Sequence, residues 1–251
     1  MQLKDRVITA ISYYKNPLKR ETIELARTFE GKTGIEIGGP SGVFGLKSFF
    51  PVYLYAARID GVNFSNETVW EGKIGTGKHY AYYPGKPEGF QYINEAADLI
   101  DVPENHYDFL LSCHSLEHVA NPIKALRQWK KVLKDQGSIC LVLPDKRYTF
   151  DHKRPYTTFD HLLSDEANGV DERDTTHFEE VLQLHDLSKD IAQTRAEFES
   201  RTLQNYTKRC IHHHIYSLEL MEQLLNYCGF KVSYSGEFAP FHLMAVAQKV
   251  K

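Results

Sequence analysis

Cysteine is scarce in this chain, and its spacing is unpaired: Cys113, Cys140, Cys210 and Cys228 are the four thiols among 251 residues. That excludes a disulfide framework and a zinc-finger array, and it predicts ordinary thiols in a reducing cytoplasm. Apolar runs long enough to span a bilayer are missing, and the opening MQLKDRVITAISYYKNPLKR interrupts its apolar residues with charges. The expectation is a soluble, unexported protein with no membrane partner. An excess of positive charge is also lacking, because 30 Lys+Arg face 33 Asp+Glu for a net −3. Without a broad electropositive field, polymeric nucleic acid is not an expected partner. Two chemical signatures are absent as well. Gly75-Thr76-Gly77-Lys78 is not a GxxxxGK[ST] loop and no apolar strand leads into it; His114 and His118 flank Glu117 at i,i+4 without forming HExxH. No metal is assigned from sequence.

What is present begins with glycine. Lys32 to Phe44 reads KTGIEIGGPSGVF, an apolar run entering Gly38, Gly39 and Gly42. Glycines there let the backbone turn tightly and let a ligand approach the main chain. The spacing predicts strands at Thr33 to Ile37 and Val52 to Ile59, the second ending at Asp60, 22 positions beyond Gly38. An acidic residue near that spacing accepts hydrogen bonds from ribose hydroxyls in nucleoside folds; the alternative is an exposed loop aspartate. Upstream, Asp5 to Phe29 reads as two helices divided at Asn16-Pro17. Asn63 to Gln91 reads as a long loop in which Tyr80, Tyr82 and Tyr83 either line a pocket or simply pack.

Further on, a strand Phe109 to Ser112, a helix capped by Asn121 with Pro122 at its first position, and a strand Ser138 to Leu143 form a βαβ unit. This makes the fold α/β. Asp145 to Arg209 is polar and strandless, with a helix predicted from Phe178 to about Tyr206. After it come a helix at Leu218 to Tyr227 and strands at Phe230 to Ser235 and His242 to Lys249. Their short connection forces an antiparallel pair. Four segments are expected: a helical cover (1–30), a cofactor-binding core (31–144), an acceptor-side insertion (145–209), and a closing helix with its strand pair (210–251).

These residues resemble the class I S-adenosylmethionine-dependent methyltransferases of the small-molecule branch. Glu36-Ile37-Gly38-Gly39 with Gly42 looks like the cofactor loop, Asp60 takes the ribose position, and Ala97-Asp98-Leu99 is similar to the segment flanking adenine. Asp108-Phe109 through Leu116-Glu117-His118-Val119, Asn121-Pro122 and Lys130 to Gly137 resemble that branch's long LEHV-type signature. The resemblance implies a Rossmann-like doubly wound sheet, mostly parallel with an antiparallel last strand, carrying N-terminal helices and a helical insertion. It implies S-adenosylmethionine as cofactor, S-adenosylhomocysteine as product, Glu36 at the methionine amino group, and main chain near Ser112, Cys113 and His114 at the same end. One departure stands out: Pro40 occupies the middle glycine position, so that residue brings no N–H to the loop.

In-line methyl transfer rests on positioning and desolvation, and a hydroxyl acceptor also needs a base, for which histidine is suited. Of the twelve histidines, His118, His214 and His177 are the candidate bases, with His185 next; each has packing as its alternative role. If His212-His213-His214 is extended, His212 and His214 share one face, expected to be the acceptor pocket. Arg147 and Arg154, which leave the carboxyl end of a strand, together with His212 and Tyr216, are the candidate acceptor contacts; an exposed loop held by its own ion pairs is the alternative for the arginines. A divalent metal built from these histidines with Asp151 or Asp174 is the lesser reading. The expected activity is methyl transfer to a small-molecule acceptor, at oxygen rather than nitrogen, such as a sugar or biosynthetic intermediate. The alternatives are a catalytically silent cofactor-binding subunit or a nicotinamide-dependent oxidoreductase. Oligomeric state is unassigned.

Overall fold

The computed structural model of the chain describes residue 13 and residues 17–68, 72–191 and 194–250. The second expected N-terminal helix is α1 (Pro17–Arg27); most of the first lies outside the described residues. Eight strands form one sheet: β1 (Thr33–Ile37), β2 (Arg58–Asn63), β5 (Gly77–Tyr80), β6 (Gly89–Ile93), β7 (Tyr107–Cys113), β8 (Leu133–Pro144), β9 (Phe230–Phe238) and β10 (His242–Lys249). Two-residue strands β3 (Glu67–Thr68) and β4 (Gly72–Lys73) pair separately. The order is β5-β6-β2-β1-β7-β8-β10-β9. The run from β6 to β8 is parallel, whereas β10 is antiparallel to both β8 and β9, and β5 is antiparallel to β6. This is the Rossmann-like, mostly parallel sheet with an antiparallel close that the sequence predicts. Strand order reverses between β1 and β7, and ligands bind at the carboxyl ends beside such a reversal.

Local chemistry explains the central unit. Asn121 accepts the Lys124 N–H at 3.0 Å, Pro122 follows without needing a donor, and α3 (Pro122–Val132) buries Ile123, Ala125, Leu126, Trp129 and Val132. Alternation along β1 sends Ile35 and Ile37 into that face of the core. Glu36 is thereby turned to the opposite, aromatic-rich face, where Leu111, its register partner on β7, packs with Phe44, Phe50 and Tyr53. The closing helix α8 (Leu218–Tyr227) ends before Gly229, whose φ of +79° suits glycine.

Three stretches depart from expectation. Asn63 to Gln91, read as a long loop, carries β3, β4, β5 and the start of β6, the last two in the main sheet. Val52 to Ile59 is not a strand: Val52–Tyr55 is a helical turn (α2) after Pro51, and β2 starts at Arg58. All four residues of the turn are buried, and an apolar run registers burial without fixing conformation. The expected long helix of the insertion is broken into α5 (Phe178–Leu184), α6 (Arg195–Leu203) and α7 (Asn205–Lys208). Thr194 and Glu197 form a capping box that restarts the chain at α6. Ahead of these, α4 (Phe159–Ala167) is capped by Thr158, which accepts the His161 N–H. No helix among the described residues is long and apolar enough to cross a membrane.

Candidate functional site

Where β1, β2 and β7 end, a cleft of about 740 Å³, counting its open mouth, is lined by Ile37, Gly38, Val62, Asn63, Asn94 to Ala96, His114, Ser115 and His118. Its size falls in the range of small-molecule sites. Gly38 sits at φ +77°, and a Cβ added there would lie 2.2 Å from Ser115 Oγ. The Ser115 hydroxyl itself donates to the Ile37 carbonyl at 3.0 Å, which closes the floor. Asn63 donates through Nδ2 to the Gly39 carbonyl, and its Oδ1, like that of Asn94, is buried with no partner. Buried polar atoms are nearly always bonded, so two unused acceptors among the lining residues leave the cleft able to take a ligand's donors.

Several expected cofactor contacts lie elsewhere. The Asp60 carboxylate is inside β2 and accepts from Tyr107 Oη at 2.9 Å, the Phe90 N–H at 2.7 Å and Arg58. Because β2 begins at Arg58, its carboxyl end is Asn63, and Asn63, not Asp60, meets the cleft. Asp98 is exposed and Leu99 is core, whereas Glu95 and Ala96 line the cleft in their stead. Glu36 faces away from it: its carboxylate accepts Tyr53 Oη at 2.6 Å, Tyr80 Oη at 2.8 Å and the Ser41 N–H at 3.0 Å. Burial, only partly offset by these bonds, pushes the Glu36 carboxyl up to about 7. Tyr80 is thus a support for the loop, Ser41 supplies the N–H that Pro40 cannot, and Gly39 packs on Glu36 and Tyr80. Gly42 is exposed in a 3-10 turn; Ser112 and Cys113 are buried behind the cleft wall. His114 and Gly38 are the sequence-predicted cofactor contacts that line it.

A second, wider cleft of about 1140 Å³ opens beneath the insertion, lined by Glu117, Tyr148, Phe150, Lys189, Lys208 and His212 among others. It shares His114, His118 and Arg209 with the first, so the two meet there. His118 donates from Nδ1 to the Ile211 carbonyl at 2.8 Å, which leaves Nε2 unprotonated in the neutral ring. Burial and the neighbouring His212 pull its pKa to about 3. Beside it, His212 Nδ1 meets Asp151 Oδ2 at 2.5 Å; burial opposes charge on this ring, but Asp151 outweighs burial and the pKa rises. Asp151 is also held by Arg154 at 3.1 Å, and these cations overcome burial to bring it to about 2. Glu117 is 1% exposed with both carboxylate oxygens unbonded, and burial pushes it up to about 7.

The remaining candidates are brought together differently. His214, expected at the acceptor pocket, turns the other way and meets Asp165 at 2.9 Å, in a cluster with His161 and His177 that lines neither cleft. The segment carrying the three histidines is irregular, so a strand's two-residue period does not apply to it. His185 is bonded to Asp190 at 2.6 Å between the Phe150 and Phe198 rings. Arg154 is 1% exposed and bonded to Asp151, Glu180 and the His212 carbonyl; Arg147 is tied to Asp145 and Glu237; Tyr216 is core. None of these last three lines either cleft. Sequence reasoning missed Asn63, Glu117 as an acceptor-side group, and Arg209, which bridges to Glu95 and Glu172 at 2.5 Å each. A strand end placed at Asn63 would have found the first; no sequence signal marks Arg209.

Residues 11–234 match the family model described as a methyltransferase domain. No curated protein sequence matches the chain. Among solved structures it is similar to an S-adenosylmethionine-dependent methyltransferase from Mesorhizobium loti, at TM-score 0.52 and 13% identity over 93% of this chain and 96% of that one. It is also similar to the 1,6-didemethyltoxoflavin-N1-methyltransferase of Burkholderia thailandensis, solved with 1,6-didemethyltoxoflavin and S-adenosylhomocysteine bound, at TM-score 0.50 and 11% identity over 95% of this chain and 81% of that one. At these identities the likeness shows the fold.

Proposed function

Because the chain belongs to the methyltransferase-domain family and is an S-adenosylmethionine-dependent methyltransferase, we propose that it methylates a small hydroxylated acceptor, at oxygen rather than nitrogen. The observation that carries this reading is the meeting of two clefts at His114 and His118, one against the glycine turn and one beneath the insertion. The first cleft fits the cofactor: Gly38 leaves its floor open, Asn63 and Asn94 offer unused acceptors to ribose hydroxyls, and Glu95 and Ala96 border the adenine. When bound there, the sulfonium supplies a methyl group activated for in-line displacement.

The chain's own residues then do three things. Cleft walls set the acceptor oxygen opposite the sulfur, and holding the pair in line supplies much of the rate. Arg209, anchored to Glu95 and Glu172, ties the insertion to the core across both clefts and limits water. The buried group of Glu117, His118 and His212 faces the acceptor oxygen, which must lose a proton. Lys189 and Lys208 at the second cleft favour an acceptor bearing a negative charge. A weakly basic amine attacks while neutral and sheds its proton to solvent afterwards, whereas a hydroxyl attacks well only as its proton is taken; this favours oxygen.

The test is twofold. Calorimetry is expected to show S-adenosylhomocysteine binding at one site per chain. Isotope-labelled S-adenosylmethionine is then offered to matched panels of hydroxylated and amino acceptors, with label expected on hydroxyl compounds. Label on amines alone overturns the oxygen assignment, and absence of cofactor binding overturns the whole reading.

A further inference from the structure

The insertion and the β7–α3 connection bring Glu117, His118 and His212 together so that a carboxylate oxygen and a nitrogen of each ring lie within 4.8 Å of one another. We propose that these three residues bind one divalent first-row transition-metal ion of the zinc type, whose open positions face the second cleft and take the acceptor's hydroxyl oxygen.

Three observations carry the site. First, each imidazole is already oriented from behind. His118 Nδ1 is fixed by the Ile211 carbonyl at 2.8 Å and His212 Nδ1 by Asp151 at 2.5 Å, so each ring presents Nε2. A carboxylate or carbonyl behind the distal nitrogen is what metal-bound histidines require, and Arg154 holds Asp151 in turn. Second, Glu117 has two buried oxygens without a donor, although its backbone carbonyl is engaged by the His213 N–H at 2.7 Å. A buried carboxylate costs much free energy unless paired, and a cation between it and two imidazoles supplies the pairing. Third, the site is open on one side, because all three residues line the second cleft. Two imidazoles and one carboxylate with free positions suit zinc, iron or cobalt and not the hard, oxygen-seeking magnesium. Movement of about an ångström or less at each residue brings the ligand atoms to bonds of about 2.0–2.2 Å.

Two other groups of histidines and carboxylates serve as comparisons. In His161, Asp165, His177 and His214, the carboxylate oxygen is already engaged by His214 at 2.9 Å and by His161 at 3.3 Å, while His161 and His177 meet at 3.3 Å. In Asp174, His177 and His213, the His213 Nε2 accepts from Asn205 Nδ2 at 3.2 Å, so the Nδ1 that faces Asp174 carries the proton in the neutral ring and offers no lone pair. Neither group lines the second cleft.

The role given to the ion rests on the methyl-transfer reading; the site does not. Coordination lowers the pKa of a bound hydroxyl, as it does for bound water. The acceptor's O–H bond breaks and its proton leaves to solvent through the cleft mouth. The oxygen's electron pair then forms the O–CH₃ bond while the S–CH₃ pair returns to sulfur, so the sulfonium charge is neutralised as the alkoxide charge disappears.

The full chain, freed of metal, is titrated with cobalt(II), whose visible absorption reports a nitrogen–oxygen site, and its zinc content is measured after loading and desalting. One equivalent per chain is expected. Glu117→Gln and His212→Asn are expected to weaken cobalt binding at least about 100-fold, and Asp151→Asn about 10- to 100-fold. His161→Asn is expected to leave it unchanged. Circular dichroism and S-adenosylhomocysteine calorimetry on each variant show that the fold stands; should Glu117→Gln fail to fold, His118→Asn takes its place. No cobalt spectrum in the wild type, undiminished binding in Glu117→Gln and His212→Asn, or loss confined to His161→Asn overturns the proposal. If cobalt binds while S-adenosylhomocysteine does not, the methyl-transfer reading fails and the metal site stands; the reverse result removes the metal alone.

Discussion

The run His212-His213-His214 feeds two clusters that share composition and differ in satisfaction. His212 joins Glu117 and His118, where a buried carboxylate has no donor and all three side chains line a cleft. His214 joins His161, Asp165 and His177, where carboxylate and rings are bonded to one another away from either cleft. A buried carboxylate whose bonding is complete holds the fold together, and one left incomplete waits for a ligand. The same contrast separates Asp60, with every approach taken, from Asn63, with one atom unused. Residue class, histidines around one carboxylate, is the same on both sides of the first contrast.

The largest expected effect comes from exchanging the two clusters as targets. His212→Ala is expected to lower methyl transfer to a responsive acceptor by about 100-fold or more with little loss of stability, because Arg154 still holds Asp151. His214→Ala is expected to do the reverse: about 1–3 kcal/mol of stability lost in urea unfolding as Asp165 loses the nearer of its two histidines and a buried ring is removed, with S-adenosylhomocysteine affinity within about threefold of wild type. Equal loss of transfer in both variants breaks the comparison.

Next in size is the pair on β2. Asn63→Ala is expected to weaken S-adenosylhomocysteine about tenfold, near 1.4 kcal/mol, at nearly unchanged melting temperature. Asp60→Asn is expected to cost about 1–3 kcal/mol of stability and to leave the affinity within about threefold. Calorimetry and thermal melts on the two variants measure both quantities, and a cofactor defect confined to Asp60→Asn restores the position the sequence suggested.

The smallest effect tests Glu36, a carboxylate partnered but wholly buried. Its carboxyl is raised from 4.5 to about 7, so the folded state holds the proton more tightly than the unfolded chain. The stability this contributes is complete below about pH 4.5 and is lost as pH rises through about 7. Melting temperatures followed across that window are expected to fall less steeply in Glu36→Gln, by the equivalent of about 1–2 kcal/mol. Parallel curves for the two proteins would show that Glu36 does not titrate there.

Much of the architecture was legible in the residues. The glycine turn after β1, the Asn121-Pro122 cap of α3, the βαβ unit and the short link forcing β9 and β10 antiparallel each follow from local chemistry, and each is in the structure. The two clefts were legible in part: Gly38 lines the first, His212 the second, and His114 and His118 both, but Glu36, Asp60, Asp98, His177, His214, Arg147, Arg154 and Tyr216 line neither. The first failure was one of register. Val52 to Tyr55 turned as a helix, β2 ended three residues beyond Asp60, and the residue at the ligand edge changed from Asp60 to Asn63.

By itself, then, the sequence determined the order and kind of the elements, because helix caps, glycine turns and apolar periods are interactions between near neighbours in the chain. Only the tertiary structure decided which polar atoms find partners. Glu117 lies 95 positions from His212, and Asp165 lies 49 from His214. Whether a carboxylate is spent on a neighbour or kept for a ligand depends on which distant segments the fold brings to its side.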